Sequence, residues 1–253
     1  MTASANRKAV VRNASIRDPV GFRPLYRQAK DVLVQRIAKG AWQPGQILPS
    51  EFEIAADLGV SQGTVRKALD EMTAENLLVR RQGRGTFVAR HDEERILFQF
   101  FKLVSDDGVR RFPESRVLDV RVVRASSEAR ERLGLEAGDK VVQIERIRSL
   151  AGAACIAEGM VLPQKLFSGI EGRNLPNNLY ELYASEFGVT VARASERLKA
   201  LAATPRTAKH LHVPVGTPLL SIDRTAYGIG GAPVEWRVSI CRTDDFHYLC
   251  DLR

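Results

Sequence analysis

The sequence predicts an α+β chain of two units: a small basic helical unit closed by a two-stranded hairpin, then one antiparallel sheet with helices on one side. Three observations predict it. The net charge of +8 is uneven: up to Arg90 there are 15 Lys+Arg and 8 Asp+Glu, or +7, and the remaining 23 basic and 22 acidic residues leave +1. The first third carries three stretches with apolar residues at helical spacing. The rest contains an internal repeat, since residues 125–146 reappear 78 positions later at 203–224. The boundary falls at the charged, aperiodic segment His91-Asp-Glu-Glu-Arg95, giving domains at 22–90 and 95–250 after a basic arm at 1–21.

Composition excludes several classes. Hydrophobic residues make up 44% of the 253 residues, enough for true cores and too many for wholesale disorder. No apolar run approaches the ~18 residues of a membrane span. Three cysteines, Cys155, Cys241 and Cys250, form no CxxC pair, which argues against a disulfide framework or zinc finger and for a reducing cytoplasm. The first twenty residues carry Arg and Lys but no apolar core, so they read as a basic arm and not as a secretory signal, with only a faint likeness to a transit peptide.

In the first unit, Leu25, Ala29, Leu33 and Ile37 share one face of a helix over 25–39, which Gly40 stops. Ser50 and Glu53 have the spacing of a capping box that opens a second helix with Ile54, Ala55 and Leu58 inward. Gly59 supplies its left-handed end. Ser61 caps a third helix that turns Val65, Ala68, Leu69 and Met72 inward. Two short strands, 77–81 and 86–88, flank Gln82-Gly83-Arg84-Gly85. The order is that of a winged helix-turn-helix. Gln62, Thr64, Arg66 and Lys67 lie off the apolar face of the third helix, where short polar and basic side chains suit base edges and phosphates. Arg84 is the charged tip of the wing, and Arg80 and Arg81 lie beside it. The competing reading of these arginines is an ordinary solvated surface.

These residues resemble a known family. Pro24-Leu25-Tyr26, Pro44-Gly45, Leu48-Pro49-Ser50-Glu51, Leu58-Gly59-Val60-Ser61, Thr64-Val65-Arg66-Lys67-Ala68-Leu69 and Gln82-Gly83-Arg84-Gly85-Thr86-Phe87-Val88 are similar to the DNA-binding domain of GntR-family bacterial transcription regulators. The resemblance implies that Thr64 and Arg66 touch the operator, with Gly83 at the wing. The DNA-facing set is therefore Ser50, Ser61, Gln62, Thr64, Arg66, Lys67, Gly83, Arg84 and Thr86. Phe52 and Gln62 stand where the family often has Arg, so operator sequence does not transfer from relatives. Gln62 suits adenine where Arg favours guanine.

In the second unit each repeat reads as strand, short helix, glycine turn and long strand: 117–124, 127–133, Gly138, 141–150, then 191–201, 205–211, Gly216, 219–227. Each long strand turns back into a further strand, which implies antiparallel pairing. A helix over 179–186 lies between the repeats. A cleft between the two halves follows from this topology. Alternation along the strand puts Val142, Ile144, Arg146 and Arg148 on one face, and the return strand offers Glu158. Paired arginines can clamp a carboxylate or phosphate. The alternative is a pair neutralised by Glu158 and Glu145 in a surface network. Arg224 occupies the position in the second repeat that matches Arg146.

A second resemblance bears on that cleft. Pro113-Glu-Ser115-Arg116-Val117-Leu118, Leu133-Gly134-Leu135, Ile144-Glu145-Arg146-Ile147-Arg148, Leu179-Tyr180, Gly216-Thr217-Pro218-Leu219-Leu220 and Pro233-Val234-Glu235 are similar to the UTRA effector-binding domain of the HutC subfamily, which has the chorismate-lyase-like fold. It implies that Ser115, Arg146, Arg148 and Glu158 line a small-molecule pocket, with Glu235 and Arg237 near it. Effectors of the subfamily include phosphosugars and urocanate. Cys241 stands where most relatives have Tyr.

Together the resemblances imply a ligand-responsive transcription regulator, a repressor that binds a palindromic operator as a homodimer and leaves it when a small anion, a carboxylate or phosphosugar, is bound. The rival class is a chorismate-lyase-like enzyme acting on an aromatic acid, but no poised base or nucleophile is visible. His210-Leu-His212 lacks the partners of a metal site, and Cys241, Cys250 and His247 lack a third group. With no Walker or Rossmann glycine motif, no cofactor is expected.

Overall fold

The computed structural model describes residues 23–90 and 100–250; the expected arm and the expected boundary at 91–95 lie outside the described residues. Among those residues no helix is long and apolar enough to cross a membrane.

Helix α1 (Leu25–Ala38) buries Ala29, Leu33 and Ile37, while Leu25, expected on the same face, is 54% exposed in the first turn. Helix α2 (Glu51–Leu58) opens with the expected capping box: the Ser50 hydroxyl accepts from the Glu53 N–H at 3.2 Å, and the Glu53 carboxylate accepts from the Ser50 N–H at 2.8 Å. Gly59, at φ 66°, ends it. Helix α3 (Gln62–Ala74) begins at Ser61, whose hydroxyl accepts from the Thr64 N–H at 3.2 Å. Each cap contributes about 1 kcal/mol. Val65, Ala68, Leu69 and Met72 are buried against α1 and α2. Strands β1 (Leu78–Arg81) and β2 (Gly85–Val88) pair antiparallel and form the wing. Gly85 is at φ 107°, and a Cβ there would sit 2.9 Å from Ile47 Cδ1, so glycine is required.

The second unit is one six-stranded antiparallel sheet in the order β4-β5-β6-β9-β8-β7. The first repeat supplies β4 (Glu114–Arg124), helix α4 (Ser127–Leu133), β5 (Lys140–Leu150) and β6 (Ala153–Pro163). The second supplies β7 (Val191–Ala202), α6 (Pro205–Leu211), β8 (Pro218–Gly228) and β9 (Pro233–Arg242). Helix α5 (Leu179–Phe187) lies between them in sequence. The strand order is a mirror about the β6/β9 seam, so the sequence repeat is a pseudo-two-fold in space. Arg146 pairs in register with Glu158, and its repeat mate Arg224 pairs with Arg237. Strands β3 (Leu103–Ser105) and β10 (Phe246–Tyr248) form a small separate sheet that the sequence pattern did not show.

The helices do not lie on one side of the sheet. Tyr180 and Tyr183 of α5 pack with Val142, Ile144 and Met160 on one face. Ala208 and Leu211 of α6 pack with Ala157, Leu219 and Ile240 on the other. On that second face Arg132 of α4 pairs with Asp223 at 2.7 Å and lies over the Trp236 ring. The long strands carry apolar residues in both alternating sets, so each face needs its own cover.

Candidate functional site

Two constellations stand out, one in each unit. In the first, the N-terminal half of α3 presents exposed Gln62, Arg66 and Lys67, with Thr64 half-buried. Glu51, the first residue of α2, gathers these groups. Its carboxylate accepts from Arg66 Nε at 2.9 Å, from Gln62 Nε2 at 3.4 Å and from Arg80 of β1 at 3.4 Å. Sequence reasoning missed Glu51; the signal was its place at the head of α2, where the turn brings it against α3. Lys67 is engaged within the unit, with its ammonium 4.1 Å from the centroid of the Tyr26 ring on α1. The hydroxyls of Ser50 and Ser61 serve as helix caps, and the Ser61 and Thr64 hydroxyls lie 2.9 Å apart. At the wing, Gly83 is at φ 68°, Arg84 is exposed, and Thr86 is half-buried opposite Arg80.

The second constellation sits on the α5 face of the sheet. The alternation on β5 places Arg146 and Arg148 side by side, both buried, with Glu158 of β6 buried beside them. Arg146 Nε donates to Glu158 at 2.5 Å, and Arg237 donates to the same carboxylate at 3.3 Å. The Ser239 hydroxyl completes the set at 2.9 Å. Burial alone would push the Glu158 carboxyl up, but Arg146, Arg237 and Arg148 together outweigh it and hold it well below the usual carboxylate range.

Arg237 also forks onto Glu235 at 2.9 and 2.7 Å. Glu235 is fully buried and accepts in addition from the Tyr180 hydroxyl at 3.1 Å and the Tyr183 hydroxyl at 2.9 Å. Burial, with the neighbouring Glu235 charge, pushes the Tyr180 phenol up to about 12, so it remains a donor. Glu235 therefore stands behind Arg237 and supports it; it does not face the cavity.

Arg148 is different. Among the described residues its buried Nε has no hydrogen-bond partner and no carboxylate pairs with it. The guanidinium lies 4.9 Å from the centroid of the Phe101 ring and 5.8 Å from that of Phe112. Burial, and next the like charge of Arg146, lowers its pKa to about 9. Ser115 sits directly opposite Arg148 in the β4–β5 register; its N–H donates to Asn177 at 2.7 Å, while its buried hydroxyl has no partner.

Arg224 closes the set. It donates to Glu196 of β7 at 2.6 Å and to the Phe100 carbonyl. Arg146, Arg148, Arg224 and Arg237 together line one cavity of about 20 Å³, space for about a single water. Arg224 also lines a larger cavity of about 550 Å³ between the two units, walled by Glu75, Asn76 and Leu77 on one side and by β7 and the β8–β9 turn on the other.

The expected neutralising network is thus half right. Glu158 does neutralise Arg146, but in the interior and not at the surface. Glu145 points to the opposite face, where it pairs with Arg206 and Arg121, because adjacent strand residues face opposite ways. Sequence reasoning missed Tyr180, Tyr183 and Ser239 as partners of this network. Ser239 was legible as the next residue on the Arg237 face of its strand. The other weak candidates do not form a centre: Cys241 is buried with its thiol pushed up by burial, and His247 pairs with Asp106 at 2.7 Å.

Comparison with known proteins places both units in known families. Residues 25–88 match the family described as "Bacterial regulatory proteins, gntR family", and residues 109–247 match the UTRA domain. The chain is 31% identical over 230 residues to the "HTH-type transcriptional repressor NagR" of Bacillus subtilis, covering 89% of this chain and 95% of the relative. It is 28% identical to the "Mannosyl-D-glycerate transport/metabolism system repressor MngR" of Escherichia coli, covering 90% and 96%. A solved ligand-binding domain assigned to a GntR-family regulator of Bordetella bronchiseptica is 37% identical, with a TM-score of 0.58, over 62% of this chain and 99% of that one. PhnF from Mycobacterium smegmatis, at 24% identity and a TM-score of 0.54, shares the fold over 88% of this chain and 98% of its own. With a basic winged helix-turn-helix at one end and an arginine-lined, duplicated sheet at the other, the chain belongs to the GntR family of bacterial regulatory proteins, in the branch that carries a UTRA domain.

Proposed function

We propose that this transcription regulator is a repressor that binds a palindromic operator as a homodimer and releases it when a small anion binds among Arg146, Arg148, Arg224 and Arg237, widening a cavity that without it has room for about one water. The observation that carries the effector half is Arg148, a buried guanidinium that pairs with no carboxylate among the described residues. A buried charge without a partner is costly, and an anionic ligand would relieve it. Repression is supported by the printed names of NagR and MngR. Dimerisation is supported by the symmetry that a palindromic site requires.

In this reading Gln62, Thr64 and Arg66 meet base edges. Lys67, Gly83, Arg84 and Thr86 meet the phosphate backbone, together with the helix N-termini at Ser50 and Ser61. Arg148 and Ser115 receive the anion, while Glu158 and Glu235 hold the remaining arginines in place. Arg224 supplies the coupling, because it walls both the anion cavity and the cavity between the units. An anion that draws Arg224 away from Glu196 and the Phe100 carbonyl changes the contacts at the seam. Such coupling is typically 1–3 kcal/mol.

The test is a gel-shift titration of the protein on its own promoter region with a panel of small carboxylates and sugar phosphates. The Arg148→Met variant, which leaves the Arg146–Glu158 pair intact, is expected to bind operator with wild-type affinity and to ignore the compound that releases the wild type. Release at an unchanged concentration would place the effector elsewhere. Sedimentation of the free protein and of its operator complex reads the dimer directly.

A further inference from the structure

We infer that Phe52, in the first turn of α2, is a base-reading residue that packs on the C5-methyl group of a thymine in the major groove; this rests on the reading of α3 as the helix that meets base edges.

Position comes first. Phe52 is 73% exposed, and among the described residues no large apolar side chain is more so. It lies off the face that α2 buries, which carries Ile54, Ala55 and Leu58. At ~100° per residue it stands about 140° round the helix from Asp57, which ties α2 to α1 through Arg36. The ring therefore looks away from α1. Glu51, the residue before it, holds Arg66 at 2.9 Å and Gln62 at 3.4 Å, so the first turn of α2 and the N-terminal half of α3 present one surface.

The chemistry of the turn narrows what it can touch. Ser50-Glu51-Phe52-Glu53 contains no cation. The Glu53 carboxylate is turned back onto the Ser50 N–H and hydroxyl, both at 2.8 Å, and Glu51 is occupied by Arg66, Gln62 and Arg80. No side chain of this turn is left to take a phosphate. What it offers the DNA is a phenyl ring. Setting that ring against a polar base edge would strip the edge of water and give no hydrogen bond in return.

The groove supplies the match. Among the groups that base pairs present in the major groove, the thymine methyl is the apolar one, and Phe is a side chain that packs on it. Gln62, on the same surface, suits adenine, and every adenine brings a thymine in the same base pair. The amide and the ring then read A·T pairs together. Burial of a ring that is exposed in the free protein adds to the binding.

The experiment is fluorescence anisotropy of the full-length protein on its own promoter region, synthesised with thymine or with uracil throughout, so that the two DNAs differ by the C5-methyl groups alone. A random fragment of the same length is made in both forms. The wild type is expected to bind the uracil promoter roughly fivefold or more weakly, the scale of one lost base contact. Phe52→Ala is expected to lose as much on the thymine promoter, to bind the two promoters within about twofold of each other, and to leave random DNA unchanged. Its thermal unfolding should match the wild type, because the ring is exposed in the free protein. Equal affinity of the wild type for both promoters overturns the inference. So does an equal uracil effect in wild type and variant, which would assign the methyl groups to other side chains. Equal loss by Phe52→Ala on promoter and random DNA would put the ring on deoxyribose and overturn it too. Arg66→Ala weakening the promoter complex while Phe52→Ala does not would overturn the inference and leave α3 as the base-reading helix; no effect of either variant would overturn both.

Discussion

Arg66 on α3 is held by Glu51 at the head of α2, with both Nε and Nη2 of the guanidinium 2.9 Å from the same carboxylate oxygen. The pair joins the two helices of the helix-turn-helix through exposed polar groups and sets where the arginine head stands. Arg80 of β1 reaches the same carboxylate, so helix and wing strand share one anchor.

The first prediction concerns that anchor. Arg66→Ala should cost about 1–3 kcal/mol of operator affinity if the guanidinium reads a base. Glu51→Gln should act differently. It removes a negative charge next to the DNA-facing surface and frees Arg66, while Arg80 keeps its pair with Asp70 at 2.7 Å, so affinity for random DNA should rise and the ratio of operator to random binding should fall. Fluorescence anisotropy on both DNAs at several salt concentrations checks this, and an unchanged ratio would show that Glu51 positions nothing.

The wing gives a second prediction. Gly85→Ala forces a side chain onto a residue at φ 107°, with its Cβ 2.9 Å from Ile47 Cδ1. The expected loss is about 1–3 kcal/mol in the winged unit. Thermal unfolding should show a lowered transition for that unit, with the sheet domain unaffected.

Glu235 carries the third. It is the fully buried carboxylate behind Arg237, and its removal leaves that guanidinium with Glu158 as its carboxylate partner and two tyrosine hydroxyls without an acceptor. Glu235→Ala should destabilise the sheet domain by about 3–5 kcal/mol, the range for breaking a buried pair by removing one partner. Urea unfolding followed by far-ultraviolet circular dichroism measures it.

The fourth concerns pH. The groups facing Arg148 are Arg146 on its own strand, Glu158 and Cys155 on β6, and Arg237 on β9. Burial and Arg146 lower its pKa to about 9, so below that pH the free protein carries the charge an anion needs. As pH rises past about 9 the guanidinium gives up its proton and the attraction is lost. Anion affinity should therefore be full near neutrality and fall progressively above pH 9, whereas Arg148→Met should show a flat profile over the same range. Titration calorimetry from pH 7 to pH 10 in buffers of matched ionic strength reads the difference.

What was legible in the sequence is what short-range chemistry dictates. The Ser50–Glu53 capping box, the Gly59 end and the buried face of α3 each depend on residues within a few positions of one another, so spacing alone specified them. The pairing of Arg146 with Arg148 on one strand face follows from the two-residue strand period, and the 78-residue repeat already marked Arg224 as the mate of Arg146. Tertiary structure decided the rest. Which arginine is neutralised depends on the register of β5 against β6, where a shift of one residue would turn Glu158 to the other face. The clamp on Glu235 comes from tyrosines 55 and 52 residues away on α5. The rings beside Arg148 come from Phe101 and Phe112, on segments with no strand or helix periodicity to place them. The cover on the second sheet face likewise came from helices whose own sequences do not say which side they take. Local hydrogen bonds and periodicity are encoded within a few residues; the partner of a buried charge is set only when distant strands choose their register and the two faces of the sheet are filled.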